Sequence, residues 1–333
     1  MFTFDVVPGD SVRRTLQSRR GDVLDIVART YRSHEAGETV NPDSYFLRFP
    51  EKPDSRIIAL PAFIGADVQL AGLKWISSFP RNTENGVPRA SAVLVLNDYA
   101  TGYPIAVLEA ATISAARTAA SAAVAATALR PDGYEGTRVA VVGGGVIARN
   151  ICDYLHAAGC APDAYLVHDL HEPSAQALAA HVRDTQRRPA SVTGDLGTAL
   201  EAETVVFATT ALEPYVHRQF EAGQVVLNIS LRDLAPEVIL GAQNVFDDVE
   251  HCMKANTSPH LAEQLTGNRD FVSGTLAGVL NGEVKPAADR PVIFSPFGLG
   301  VLDLAVGAFA LQQARADGTA VSVPDFFGET RRW

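Results

Sequence analysis

The feature that most constrains the fold of this chain is a glycine-rich turn between an apolar strand and a helix. The turn, residues 143–148, reads GGGVIA and fits the pattern G-x-G-x-x-A. It follows the β-rich run TRVAVVG and opens a segment, residues 146–158, that has the pattern of a helix. Glycines there let backbone N–H groups approach a pyrophosphate, and the helix N-terminus adds partial positive charge. The pattern predicts a dinucleotide site, with a plain strand–helix turn as the alternative; the predicted cofactor contacts are Gly143, Gly145, Val146 and Ile147.

Asp169 ends the next predicted strand, about 20 residues after the turn, where a carboxylate can bind the adenosine ribose hydroxyls. A carboxylate at that point repels a 2′-phosphate, so we expect NAD rather than NADP as the cofactor. The alternative is a surface aspartate with no such role.

The order of predicted elements indicates two domains and a returning tail. From Thr137 onward, strands and helices alternate, which is typical of a Rossmann-type, doubly wound parallel sheet covered on both faces. Residues 10–37 have helical spacing, and residues 44–110 contain short β-rich runs that predict a mostly antiparallel or mixed sheet in an α+β domain. The alanine-rich residues 111–129 predict one long helix. We therefore expect a substrate-binding and dimerisation domain at 1–130, an NAD-binding domain at 131–298, and a C-terminal helix within 299–333 that returns to the first domain.

Charge and cysteine content narrow the classes of partner. The formal net charge of −10 disfavours nucleic acid and anionic membranes. Three cysteines without metal-ligand spacing predict no metal site and favour a reducing compartment. The N-terminus has no secretion-signal pattern and no run is apolar enough to span a membrane, so we expect a soluble, cytoplasmic protein.

Three cations lie in apolar surroundings in the first half: Arg48 in FLRFP, Lys74 in GLKWIS and Arg117 in SAARTAA. Lysine and arginine are rarely buried unless paired. Each could point to water from an alternate strand position or a helix face. Together, in an acidic chain, they favour a pocket that binds carboxylates.

The segment from LKWISSFPRN to SAAVAATAL, the GGGVIA turn and the tail FSPFGLGVLDLA resemble the ornithine cyclodeaminase/μ-crystallin family over nearly the whole chain. Within the family, NPDSYFLRFP, KWISSFP and NISLRD are most similar to dehydrogenases of 2,3-diaminopropionate biosynthesis. The resemblance implies NAD-dependent oxidation of N-(2-amino-2-carboxyethyl)-L-glutamate, giving 2-oxoglutarate and L-2,3-diaminopropionate for siderophores or peptide antibiotics. It also implies a homodimer joined through the first domain.

The same resemblance implies roles for particular residues. Substrate carboxylates are expected at Arg48, Lys74 and Arg117, and a catalytic carboxylate at Asp233. Ser295 and Gly298 match the family's C-terminal loop near the nicotinamide. Thr209 and Thr210 end one predicted strand of the second domain, and Asn228 and Ser230 lie in the next predicted strand; these places line the cofactor cleft of a Rossmann domain.

The proposed substrate is a small tricarboxylate amino acid, which three cations match, with Arg232 as a candidate fourth. Cyclodeaminases carry small residues where Leu231 and Arg232 stand, and Arg232 would oppose the cationic side chain of ornithine. The alternatives are an ornithine cyclodeaminase, an NAD-dependent amino-acid dehydrogenase or ketimine reductase, and a non-catalytic NAD(H)-binding regulator.

Two residues carry the hypothetical proton transfers. Asp233 would take a proton from the water that attacks the imine, and its alternative is to cap a helix that begins near Ala235. Lys74, if desolvated, would have a lowered pKa and could act as the base for the substrate amine; otherwise it is a fixed cation.

Overall fold

The computed structural model describes residues 3–332. Its contacts divide the chain into two compact units: residues up to Arg117 together with those from Leu299 onward, and Thr118–Gly298. The sequence placed the end of the first domain at residue 130, whereas the contacts divide the chain within the alanine-rich helix. That helix is continuous, so nothing in its sequence marks the point of division.

The strands are β1 (Asp5–Val7), β2 (Thr39–Val40), β3 (Tyr45–Phe49), β4 (Lys52–Ile64), β5 (Leu70–Ser78), β6 (Ala90–Asp98), β7 (Pro104–Glu109), β8 (Arg138–Val142), β9 (Ala164–His168), β10 (Ala190–Val192), β11 (Thr204–Phe207), β12 (Val225–Asn228), β13 (Gln243–Phe246), β14 (Val272–Thr275), β15 (Val292–Ser295) and β16 (Val321–Ser322). The helices are α1 (Gly9–Ser18), α2 (Arg20–Glu35), α3 (Ala111–Leu129), α4 (Val146–Ala157), α5 (Glu172–Gln186), α6 (Leu196–Ala199), α7 (Pro236–Leu240), α8 (Val249–Cys252), α9 (Ser258–Thr266), α10 (Leu276–Leu280) and α11 (Gly300–Ala316), with a 3₁₀ turn at Pro80–Asn85.

The sheet of the first unit is mixed, as the sequence predicted. Its order is β16-β1-β7-β6-β5-β4-β2, with β3 paired to β4. Strands β3 to β7 pair antiparallel, and β1 runs parallel to β7. Alternate residues bury one face, including Lys74, Leu94 and Leu96.

Helix α11 packs against β4, β5 and β6. Gly307 permits the close approach, since a Cβ there would lie 2.2 Å from Leu94 Cδ2. The contact seats the C-terminal helix on the sheet of the first unit and brings Asp303 to its buried face.

The second unit is the predicted Rossmann-type α/β fold. All pairs in its eight-stranded sheet, of order β10-β9-β8-β11-β12-β15-β13-β14, are parallel. Every residue of β11, β12 and β15 is buried, as expected for central strands covered on both faces. The predicted fold class is therefore confirmed.

The single helix that the spacing of residues 10–37 predicts is two helices. Arg19, with φ −122° and ψ 36°, leaves the helical conformation between α1 and α2. Its side chain donates to Asp22 at 2.7 Å, in the first turn of α2. A carboxylate there is stabilised by the helix dipole, so this pair favours a new helix start that apolar spacing does not show. No helix within residues 3–332 is long and apolar enough to cross a membrane.

Candidate active site

A buried ion cluster lies between the sheet and helices of the first unit. Lys74 Nζ on β5 donates to Asp303 Oδ2 at 2.6 Å and to Ser114 Oγ at 3.2 Å. Arg117 Nε on α3 donates to the other carboxylate oxygen, Asp303 Oδ1, at 3.2 Å. Lys74 is 1% exposed, Arg117 9% and Asp303 0%. The structure thus brings together two of the three predicted cations through one shared carboxylate.

Burial changes the acid–base character of Lys74. Desolvation and the positive charge of Arg117 lower the pKa of Lys74, and Asp303 opposes them, so that the pKa falls from 10.5 to about 8. An amine with a pKa of about 8 exchanges protons near neutral pH, which an ordinary lysine does not. The geometry therefore permits Lys74 to act as a base as well as a cation.

Asp303 and Ser114 are absent from the sequence-based prediction. Asp303 is the only acidic residue of α11, which is otherwise apolar on nearly every side. A lone carboxylate in such a helix needs a cationic partner, because an unpaired buried charge is costly. That signal could have found Asp303, although not its two partners.

Arg48 lies away from this cluster. It is exposed on β3, directly opposite Arg56 of β4, with its guanidinium 5.4 Å from the centre of the Phe46 ring. Among the described residues, no hydrogen bond or ion pair joins Arg48 to Lys74 or Arg117. The three predicted cations therefore do not converge at one point, because the strand register aligns Arg48 with Ser78, four positions along β5 from Lys74.

The glycine turn of the second unit has the geometry of an anion cradle. Gly143 has φ 102°, and a Cβ there would lie 2.4 Å from the Ala208 carbonyl oxygen. A Cβ on Gly144 would lie 2.7 Å from the backbone of Ser174, whereas one on Gly145 would meet nothing within 4 Å. Gly145 is also the N-cap of α4 and supplies no side-chain cap. Open space in front of uncapped amides, beside Val146 and Ile147, fits a bound pyrophosphate.

Asp169 follows β9 and reaches the same turn. Its Oδ2 accepts from the Gly144 N–H at 2.6 Å, and its Oδ1 accepts from the His171 N–H at 2.8 Å. The carboxylate is partly exposed. This placement fits the predicted contact with ribose hydroxyls, and the bond to Gly144 also gives Asp169 a structural role in the turn.

Asp233 of the second unit is a buried carboxylate surrounded by three hydroxyl groups on residues that are themselves partly exposed. Its Oδ1 accepts from Thr209 Oγ1 at 2.5 Å and from the Tyr215 hydroxyl at 2.9 Å, and its Oδ2 accepts from Ser230 Oγ at 2.5 Å. Asp233 itself is 0% exposed, whereas Tyr215 is 38% exposed. Helix α7 begins at Pro236 with Ala235 as N-cap and no side-chain cap, so Asp233 does not cap it.

Tyr215 was not among the predicted site residues. Because it is partly exposed and donates to Asp233, it connects the buried carboxylate to solvent. Burial, followed by the charge of Asp233, raises the pKa of the Tyr215 phenol well above its ordinary value. The phenol therefore stays protonated and donates to Asp233. A proton that moves to Asp233 must therefore be transferred through the hydroxyl of Thr209, Tyr215 or Ser230, or replace one of their hydrogen bonds.

The two residues before Asp233, Leu231 and Arg232, lie in an unusual turn. Leu231 has φ +70°, a conformation that usually calls for glycine, and its side chain is buried. Arg232 donates to the Ala255 carbonyl at 2.8 Å, in a turn where Ala255 and Asn256 also have positive φ. This contact gives Arg232 a structural partner, and its predicted contact with substrate stays a prediction.

Other predicted cofactor residues lie at the carboxyl ends of the central strands. Asn228 ends β12 and donates to Ser295 Oγ at 3.0 Å, while its own Oδ1 is buried without a hydrogen-bond partner. A buried acceptor without a donor is costly and fits an incoming amide group. Gly298 donates to the buried Asp247 at 2.7 Å. Thr210 is exposed beside Thr209, after β11.

Comparison with known proteins places these features in context. The model of the ornithine cyclodeaminase/mu-crystallin family matches residues 10–317. The N-((2S)-2-amino-2-carboxyethyl)-L-glutamate dehydrogenase of Staphylococcus aureus is 28% identical, over 88% of this chain and 90% of its own. The NAD(P)H-dependent anabolic L-arginine dehydrogenase of Pseudomonas aeruginosa is 30% identical, over 90% of this chain and 94% of its own.

A solved structure shows the same fold at lower identity. The Thermococcus litoralis Δ1-pyrroline-2-carboxylate reductase, in complex with NADH and L-proline, superposes with a TM-score of 0.87. It is 22% identical and covers 96% of this chain and 100% of its own.

Proposed function

Because the chain belongs to the ornithine cyclodeaminase/mu-crystallin family, we propose that it is an NAD-dependent oxidoreductase that acts on a C–N bond of an amino acid. Relatives that match most of the chain carry the names of dehydrogenases or reductases with amino-acid substrates. The open space at Gly145, the uncapped start of α4 and the carboxylate of Asp169 support the cofactor.

The observation that carries the proposal is the buried trio of Lys74, Asp303 and Arg117. The trio contains two cations and one carboxylate, because Lys74 and Arg117 share Asp303. Ammonium and guanidinium groups bind carboxylates through charge-assisted hydrogen bonds, which supports a subsite for a substrate carboxylate beside this trio. Arg117 would supply a fixed charge for that carboxylate, while Lys74, with its pKa of about 8, would accept a proton.

The finer proposal is that the substrate is N-(2-amino-2-carboxyethyl)-L-glutamate. The name of the S. aureus relative supports it. The charge pattern supports it as well: three carboxylates need more cations than the buried trio supplies, and Arg48 lies on the same sheet face without an acidic partner among residues 3–332. Ornithine, arginine and alanine offer one carboxylate each.

In the proposed reaction, the C–H bond at the glutamate α-carbon breaks as the C=N bond forms. When bound, NAD supplies the acceptor for the hydride. Lys74 takes the proton of the secondary amine, since a protonated nitrogen has no lone pair for the C=N bond. Water then adds to that carbon and passes a proton to Asp233 through Thr209, Tyr215 or Ser230. Asp233 returns this proton to the nitrogen and then takes the proton of the new hydroxyl, so that the C=O bond forms as the C–N bond breaks and 2-oxoglutarate and L-2,3-diaminopropionate are released.

A substrate panel with NAD tests this function. We expect NADH to appear with N-(2-amino-2-carboxyethyl)-L-glutamate, together with equal amounts of 2-oxoglutarate and 2,3-diaminopropionate. Ornithine, arginine, alanine and proline should give far less. Release of ammonia and a cyclic imino acid from ornithine without net NADH would instead support a cyclodeaminase. Cofactor binding without turnover of any of these compounds would support a non-catalytic regulator.

The face of the first sheet that does not carry Lys74 supports a proposal about the oligomeric state. Tyr45, Ala59, Trp75 and Val93 are successive cross-strand neighbours, and Tyr45, Trp75 and Val93 are 70%, 38% and 42% exposed. A row of apolar side chains across four strands favours burial against another surface. We propose a homodimer joined through this face of the first unit.

The compartment and pathway complete the proposal. Cys152, Cys160 and Cys252 are buried free thiols, which suits a reducing cytoplasm. The products would enter a siderophore or a peptide antibiotic.

A further inference from the structure

A row of polar side chains crosses the buried face of the first sheet, four positions along β5 from Lys74. Arg48 on β3 lies opposite Arg56 on β4, which lies opposite Ser78 on β5. Directly opposed residues of paired strands share a face, and Ser78 and Lys74 are separated by an even number of positions on β5. The row of Arg48, Arg56 and Ser78 therefore points to the same side of the sheet as Lys74.

Arg89, the residue directly before β6, completes this row. Its Nη1 donates to Ser78 Oγ at 2.7 Å, and Ser78 is 6% exposed. Burial lowers the pKa of the Arg89 guanidinium, and no carboxylate opposes that shift. No carboxylate within residues 3–332 pairs with Arg89 or with Arg48. A partly buried cation held in place by a neutral hydroxyl has the charge and the spare donors to bind an anion.

The distance between Ser78 and Lys74 indicates how far apart the negative charges of a bound molecule would be. Ser78 and Lys74 lie about 13 Å apart along β5, at roughly 3.3 Å per residue. Between them, Ile76 and its partner Ile58 present an apolar surface on the same face. The long side chains of Lys74 and Arg89 can shorten this span from both ends. The pattern of a cation, an apolar interval and a second cation matches a molecule whose carboxylates are separated by methylene groups.

We propose that Arg89, anchored by Ser78, binds the side-chain carboxylate of a dicarboxylate substrate and thereby selects such substrates over monocarboxylate ones. Arg48 lies on the far side of Arg56 and supplies a second, exposed cation at the same end of the sheet. This inference rests on the proposed function, because it assigns the glutamate side chain of that substrate.

The test compares 2-oxoglutarate with 2-oxobutyrate, which lacks the second carboxylate, as ligands of the NADH-bound enzyme measured by calorimetry. We expect the parent to bind 2-oxoglutarate more tightly, and Arg89→Met to weaken that binding by roughly 10- to 100-fold, the effect of losing a charge-assisted hydrogen bond. Binding of 2-oxobutyrate should be unchanged. Arg81→Met is the matched control, because Arg81 is exposed and pairs with Glu84 in the neighbouring 3₁₀ turn.

Two milder variants keep the test valid if Arg89→Met fails to fold. Arg89→Lys retains the charge and should keep part of the preference for the dicarboxylate. Ser78→Ala removes only the anchor and should weaken 2-oxoglutarate binding by a smaller factor, again without affecting 2-oxobutyrate. Unaltered preference in all three variants overturns the role of Arg89.

The outcomes separate this inference from the proposed function. A parent that binds both ligands equally overturns the inference and removes the charge argument for the larger substrate. The parent enzyme could instead prefer 2-oxoglutarate through Arg89 without oxidising N-(2-amino-2-carboxyethyl)-L-glutamate. That result would support the role of Arg89 and contradict the proposed substrate.

Discussion

At the scale of single residues, we expect Asp169 to decide which dinucleotide binds. Asp169→Ser removes the negative charge that would repel a 2′-phosphate and the acceptor for ribose hydroxyls. We expect NAD affinity to fall about tenfold to a hundredfold and the preference over NADP to shrink or reverse. Cofactor titrations of both proteins measure this.

The matched control for this change is Asp163→Ser. Asp163 accepts from the Gly136 N–H just before β9 and has no predicted cofactor contact. An unchanged preference in Asp169→Ser would leave Asp169 with only its structural bond to Gly144.

The pKa of Lys74 predicts the pH dependence of the enzyme. If the neutral amine of Lys74 is the base, kcat/KM rises with pH and levels off above about 8. Asp303 raises that pKa, so Asp303→Asn should lower it and move the rising limb to lower pH. Arg117 would then repel the lysine charge without compensation, which shifts the pKa in the same direction. A limb that stays in place in Asp303→Asn would show that another group titrates, such as the substrate amine.

Asp233→Asn separates water activation from hydride transfer. Asparagine keeps nearly the same shape and can still bond to Thr209, Tyr215 and Ser230, but it takes no proton at neutral pH. We expect cofactor binding to persist and steady-state turnover to fall by about two to four orders of magnitude. In a single turnover, NADH should form early and 2-oxoglutarate appear late. If the variant loses both stability and cofactor binding, the hydrogen bonds of Asp233 to Thr209, Tyr215 and Ser230 are structural instead.

At the scale of elements, the junction of β8 and α4 depends on two adjacent glycines for different reasons. A methyl group on Gly144 collides with the backbone of Ser174, whereas one on Gly145 meets open space at an ordinary φ of −81°. Gly144→Ala should therefore lower the melting temperature. Gly145→Ala should change the free energy of unfolding by less than about 1 kcal/mol. It should nevertheless weaken NAD binding, because its methyl group would fill the space proposed for the pyrophosphate. Normal NAD affinity in Gly145→Ala would place the pyrophosphate elsewhere.

At the scale of the whole molecule, the proposed dimer depends on the exposed apolar row of the first sheet. Val93→Glu places a charge at the β6 end of that row and should convert the dimer to monomers, as light scattering would show. Leu265→Glu is the control, since Leu265 is 58% exposed on α9 of the second unit. A dimer that survives Val93→Glu but not Leu265→Glu would move the interface to the second unit.

Local pattern alone was enough for much of this protein. The glycine turn, the alternation of strands and helices after it, and the alanine-rich α3 were readable because each depends on neighbours in sequence: φ angles that only glycine tolerates easily, side-chain period, and helix propensity. Asp169 was placed correctly at a strand end for the same reason, since parallel strands expose their carboxyl ends along one edge.

Only the tertiary structure decided which charges meet. Asp303 joins Lys74 and Arg117 because α11 returns to the first sheet and Gly307 lets it pack closely. Strand register separated Arg48 from that trio, and the contact of Arg89 with Ser78 set a second cation on the same face. These contacts join residues far apart in sequence, or depend on register and packing, and no local pattern specifies them. The sequence by itself determined the cofactor fold, because that fold depends on local pattern, whereas packing determined the arrangement of charges that we propose for substrate selection.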